Sequence, residues 1–136
     1  MVEEVRPKKL WDYRAKNTIR AVGIASNTYD VVAGSYDGNV YFFDKNGKLL
    51  WARTLGSEVE DVDISADGNV VVAGLNNGTF FVFSRAGNIL WRYNTGGKVR
   101  AVSISDTGEY MACASEDRHV YFFDLRGTLL LSLIHI

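Results

Sequence analysis

Trp11, Trp51 and Trp91 stand 40 residues apart, and the same step takes Val22 to Val62 to Val102 and Ile24 to Ile64 to Ile104. Phe43, Phe83 and Phe123 keep that step, as do Gly47, Gly87 and Gly127. No column needs a gap, so the 136 residues carry three copies of one unit in one register. A unit of this size cannot bury its apolar surface alone and must stack on its neighbours.

Within each copy the pattern is that of strands. The first reads IRAVGIA, DVVAGS, NVYFFD and KLLWART; the second VEDVDIS, NVVVAGL, TFFVFS and NILWRYN; the third VRAVSIS, EYMACAS, HVYFFD and TLLL. These runs are short and rich in β-branched and aromatic residues. Asp37-Gly38, Asn46-Gly47, Asp67-Gly68 and Asn77-Gly78 fall between them, where tight turns need residues that tolerate positive φ. No window places apolar residues at helical spacing. Four strands per 40 residues is the size of a β-propeller blade. The sequence therefore predicts an all-β chain, an open arc of about three four-stranded blades over residues 19–54, 59–94 and 99–130, the last of them incomplete.

The third copy resembles a WD-repeat blade: VRAVSIS at 99–105, DTG at 106–108, YMACASED at 110–117 and VYFFD at 120–124. Phe43-Asp44 and Phe123-Asp124 stand where that family has Trp-Asp, and Phe83-Ser84 departs further. The Gly-His pair of WD repeats is replaced by Gly56-Ser57 and Gly96-Gly97. DKNGKLLW at 44–51 resembles the Asp-to-Trp segment of pyrroloquinoline-quinone-type propellers, one residue shorter than their usual form. Together the resemblances cover residues 8–130. Both families are propellers. The first implies a non-catalytic protein-interaction scaffold; the second implies a quinone-dependent dehydrogenase or an envelope assembly scaffold.

The two ends read differently. KKLWDYR, residues 8–14, aligns with residues 48–54 and is expected to be an orphan outer strand of the kind that completes a last blade in WD-repeat proteins. At position 131 the repeat demands Trp, but Leu131 opens the run LSLIHI. Those six residues match one reading frame of a transposon adapter end, so 131–136 is read as a sequencing-adapter scar. Further blades of the same chain are then expected beyond residue 130.

Composition narrows function by exclusion. With 15 Lys and Arg against 16 Asp and Glu, the chain has no basic footprint for nucleic acid and no polybasic membrane patch. No run approaches the ~18 apolar residues of a membrane span. The charged start, MVEEVRPKKLWDYRAKN, is not a signal peptide, so a cytoplasmic location is expected. A single cysteine, Cys113, forms no internal disulfide and no vicinal pair for a quinone enzyme. It aligns with Ala33 and Ala73 and is read as a small buried residue. Of the two histidines, His135 lies in the scar and His119 aligns with Asn39 and Thr79 at a turn exit.

Neither a nucleophile triad nor a phosphate loop is present, so no catalytic residue, metal or cofactor is expected. Asp61, Asp63, Asp67 and Asn69 offer oxygen ligands of the kind calcium takes. Positions 21, 23, 101 and 103 lack carboxylates, however, and Asp67-Gly68 is explained as a turn. The even spacing of the tryptophans points to one packing duty per blade instead of a ligand-stacking set.

A surface remains. With the strand order that the WD-repeat resemblance implies, residues 16–18, 56–58 and 96–98, with 36–39, 76–79 and 116–119, build one rim. Arg20, Glu60 and Arg100 share a column there and could form a self-neutralising ladder between blades. Tyr36, Asn76 and Glu116 share a second column, and Lys98, Arg118 and His119 complete the candidate partner-binding rim. Varied loop tips on a repeated scaffold are where recognition is specialised. The expected function is a non-catalytic scaffold binding a protein or peptide. Alternatives are the start of a quinone-type propeller and a carbohydrate- or small-ligand-binding propeller.

Overall fold

The computed structural model describes residues 4–134, and of the outermost of these, 131–134, the backbone path alone. His135 and the last residue of the LSLIHI run lie outside the described residues. Twelve strands form three four-stranded antiparallel meanders. Blade 1 holds β1 (Ile19–Ile24), β2 (Val31–Ser35), β3 (Asn39–Phe43) and β4 (Leu49–Thr54). Blade 2 holds β5 (Val59–Ile64), β6 (Val70–Leu75), β7 (Thr79–Ser84) and β8 (Ile89–Asn94). Blade 3 holds β9 (Val99–Ile104), β10 (Tyr110–Ser115), β11 (His119–Asp124) and β12 (Leu129–Ile134). Residues 129–134 thus pair with β11 as an outer strand, Phe122 opposite Leu131.

The blades stack through repeated columns. Val62 and Val102 are 4% and 9% exposed because a preceding blade covers them, while the equivalent Val22 of blade 1 is 67% exposed. Phe42, Val59, Val71 and Phe83 join across the first junction, and Val72, Phe80, Val102 and Phe123 across the second. Gly34 and Gly74 lie where the next inner strand comes closest. A methyl on Gly34 would stand 2.5 Å from Val59, and one on Gly74 would stand 2.3 Å from Val99.

Each tryptophan locks its strand to the following unit. The Trp51 Nε1–H donates to the Arg85 carbonyl at 2.8 Å, and Trp91 donates to Leu125 at 2.8 Å. The receiving turn carries Gly87 or Gly127 at φ near +87, where a Cβ would stand 2.8 Å from the Trp51 indole and 3.1 Å from that of Trp91. Trp11 repeats the contact, donating to Lys45 at 3.2 Å and lying on Phe43. Residues 8–14 form no ladder among the described residues, yet Trp11 sits on blade 1 as Trp51 sits on blade 2.

Candidate functional site

The rim residues owe their position to a bulge repeated in all three blades. Ile19 faces Ser35 and Ala21 faces Gly34, so Arg20 is the extra residue of β1. The same two-against-one step makes Glu60 the extra residue of β5 and Arg100 that of β9. A bulge bends its strand and re-aims its side chain, and here it turns three charged side chains out of the strand alternation at the same end of each inner strand.

Four of the predicted rim residues converge on a fifth, Glu60. Its side chain is 3% exposed. Tyr36 donates its hydroxyl to one carboxylate oxygen at 3.3 Å, and Asn76 donates its amide to the other at 2.9 Å. Arg20 approaches at 3.8 Å from blade 1 and Lys98 at 3.6 Å from the blade 3 side. Arg20 also lies over the Tyr36 ring, 5.3 Å from its centre. The expected Arg-Glu-Arg ladder is therefore only half formed. Lys98 takes the second place at Glu60, and Arg100 turns to Glu116 at 3.6 Å in an exposed pair.

Arg118 and His119 belong to the neighbouring turn of blade 3. Arg118 holds φ of +74 where the other two blades have Gly38 and Gly78. The His119 backbone N–H donates to Asp117 at 2.9 Å, and its ring stacks on Tyr121.

Beneath the rim, a Ser–Asp–Tyr network ties the loops together in alternate blades. In blade 1, Tyr41 donates to Asp37 at 2.6 Å, the Asp37 N–H donates to Ser35, and the Lys16 N–H reaches Asp37 at 3.3 Å. In blade 3, Tyr121 donates to Asp117 at 2.5 Å and the Gly96 N–H donates at 2.8 Å. Burial alone would raise the Asp37 and Asp117 pKa values, but the hydrogen bonds from tyrosine, backbone and serine overcome it and leave both lowered. Burial, followed by the Asp37 bond, pushes the Tyr41 hydroxyl up to about 12. Blade 2 has Leu75, Asn77 and Phe81 at these positions, and the whole network goes together.

The acidic residues of β5 are fasteners. Asp61 accepts from the N–H groups of Val62 at 3.0 Å and Val102 at 2.9 Å; Asp63 does the same with Ile64 and Ile104. Both carboxylates thereby staple blade 2 to blade 3. Burial raises the Asp61 pKa despite those bonds, with Asp63 adding like-charge repulsion. Asp67 is held in its turn by Ser65 and Asn69. Among the described residues, no group of three or more His, Cys, Asp or Glu side chains is placed to hold a metal ion. Cys113 is buried, and burial pushes its thiol up to about 12, far from a reactive thiolate.

Three stacked meanders joined at bulged inner strands define an open β-propeller arc. The chain belongs to the lambda-carrageenase β-propeller domain family, whose model matches residues 30–135. No curated protein matches the chain. Among solved structures it is similar to the crystal structure of BamB from Moraxella catarrhalis, at 24% identity and a TM-score of 0.79. That likeness covers 91% of this chain and 39% of the other, so the chain spans about two fifths of the length of that protein. Among the described residues, no helix is long and apolar enough to cross a membrane.

Proposed function

We propose that the chain is a non-catalytic interaction scaffold of WD-repeat-like kind, and that its bulged rim binds a protein or peptide partner. The observation carrying this reading is the convergence on Glu60. Side chains from three blades are fixed in place by one buried carboxylate, and Arg20 and Arg100 remain with their guanidinium groups toward solvent. Arg20, held over the Tyr36 ring beside Glu60, is the residue type that anchors protein contacts, and little of its side-chain freedom is left to lose. Two cations at one carboxylate leave the cluster with an excess positive charge, which favours a partner segment carrying a carboxylate.

The test is a peptide-display selection on the full chain, with retained peptides re-measured by calorimetry against Arg20→Ala and Arg100→Ala. Loss of about tenfold or more in affinity in both variants, a 1.4 kcal/mol effect, supports the rim. Selected peptides that bind both variants as they bind the parent would remove it.

A second reading draws on the family match. A carrageenase gives the family its description, which favours the same rim as a polysaccharide-binding surface. Binding of carrageenan oligosaccharides that is abolished by Arg20→Ala, with no peptide retained, would favour this alternative.

A further inference from the structure

The two end blades carry complementary open faces. On blade 1, the side that would receive a preceding blade leaves Val22 at 67% and Ile24 at 62% exposed. An apolar groove of about 210 Å³ runs there between Trp11, Ile19, Val22 and Val31. On blade 3, the side that would receive a following blade exposes Val120 at 43%, and Tyr110 stacks on Phe122 beside it. The equivalents of Val120 are Val40 and Phe80, both fully buried. The columns that meet across the two junctions within the chain are therefore the columns left open at its two ends.

We infer that the open face of blade 3 docks head to tail on the open face of blade 1 of a second copy, reproducing the junction the chain already makes twice. The repeat supplies the argument for this occupant. Val22 and Ile24 are the residue types that Val62, Ile64, Val102 and Ile104 present in the same columns, and both internal junctions accept them. Trp11 already fills the place that a preceding blade's outer-strand tryptophan would take, seated on Phe43 with its N–H on Lys45. Blade 3 has Leu131 in that column, so the second copy brings the tryptophan that blade 3 lacks. Docking accordingly sets residues 8–14 of the second copy on the β11 edge, and β12 of the first copy, which holds that edge within one chain, must leave it.

One residue fits imperfectly, and it makes the geometry testable. Ala114 stands where Gly34 and Gly74 let the next inner strand approach, and a methyl in that column comes within 2.3–2.5 Å of a valine at both internal junctions. The same approach at blade 3 must shift Ile19 or Val22 of the second copy, and this weakens the contact without forbidding it.

Light scattering on the full chain over a concentration series is the experiment. The parent is expected to form species of two copies or more at tens of micromolar. Val22→Asp/Ile24→Asp, altering only the blade 1 face, and Val120→Asp, altering only the blade 3 face, are each expected to be monomeric. All three positions are exposed, so folding survives, and circular dichroism checks it. An equimolar mixture of the two variants retains one intact pair of faces and is expected to stop at a dimer, the signature of a heterologous contact. Ala114→Gly should tighten parent association about tenfold by removing the overlap. A monomeric parent would overturn the inference. A monomeric mixture, or association surviving in either single-face variant, would overturn it in favour of contacts between like faces or unspecific adhesion.

Discussion

Arg85 of blade 2 closes on Asp30 of blade 1 from 55 positions away, one guanidinium nitrogen on each carboxylate oxygen at 2.5 and 3.1 Å. Asp30 is buried, Thr28 donates a further hydrogen bond to it, and the guanidinium lies over the Phe42 ring. Burial pulls the Asp30 pKa upward, but the bonds from Arg85 and Thr28 and the guanidinium charge win and leave it below its ordinary 3.8. A lowered carboxylate contributes stability that is fully present above 3.8 and is lost as pH falls through the folded value. Asp30→Asn should therefore cost about 1–3 kcal/mol at neutral pH, discounted because Arg85 is part-exposed. That cost should shrink as pH falls below 3.8. Urea unfolding of parent and variant across that range measures it.

Asp61 should behave with the opposite sign. Its pKa is raised, so the stability it contributes is present below 3.8 and is lost as pH rises through the folded value. Relative to the parent, Asp61→Asn should gain stability as pH rises through 3.8 and beyond, while Asp30→Asn loses it. Parallel slopes for the two variants would contradict the assigned environments.

The tryptophans should rank by enclosure. Trp51 lies between Phe42 and Phe83 and is 8% exposed; Trp91 is half-buried; Trp11 holds an unpaired segment. Replacing Trp51 by Ala should cost about 3–5 kcal/mol, Trp91 nearly as much, and Trp11 about 1–2 kcal/mol. Equilibrium unfolding of the full chain gives the order. Losses below about 1 kcal/mol at both Trp51 and Trp91 would leave the rings without a packing role.

The blade architecture could be read because its cause is periodic. Val22, Val62 and Val102 do one job, and a column of identical residues advertises it. The tryptophan seats were legible for the same reason. The site was legible as a set of columns but not as a set of contacts. Arg20, Glu60 and Arg100 look equivalent in sequence, yet of the three Glu60 alone is buried, held between Arg20 on one side and Lys98 on the other. Asp30 and Arg85 were invisible because their columns do not repeat: Asp30, Val70 and Tyr110 share one, and Lys45, Arg85 and Leu125 the other. The signal that could have found them is a simultaneous departure in two columns. The joint change from Ser35, Asp37 and Tyr41 to Leu75, Asn77 and Phe81 is the same kind of signal.

Glu60 separates structural from binding roles on the rim. Glu60→Gln keeps an acceptor for Tyr36 or Asn76 and should cost about 1 kcal/mol. Glu60→Lys places a third cation between Arg20 and Lys98 in a buried position and should cost about 3 kcal/mol or more. A partner assay on the reversed variant would then report unfolding. Thermal melts of both variants check the ranking, and equal losses would mean that the carboxylate charge is not what gathers the cluster.

The backbone at Arg118 supplies the last test. Its two counterparts are Gly38 and Gly78 at φ of +88 and +95, and Arg118 adopts +74 with a side chain attached. The left-handed conformation costs an ordinary residue about 1–2 kcal/mol, and glycine returns about half of that as unfolded-state freedom. Arg118→Gly should therefore stabilise the chain by about 0.5–1 kcal/mol, measured by urea unfolding. Arg118 is exposed, and no ion pair of its side chain offsets the strain among the described residues. Arg118→Ala keeps the strain and removes the charge, so it should leave stability within about 0.5 kcal/mol of the parent. A glycine variant no more stable than the alanine variant would show that the turn tolerates the left-handed arginine without cost.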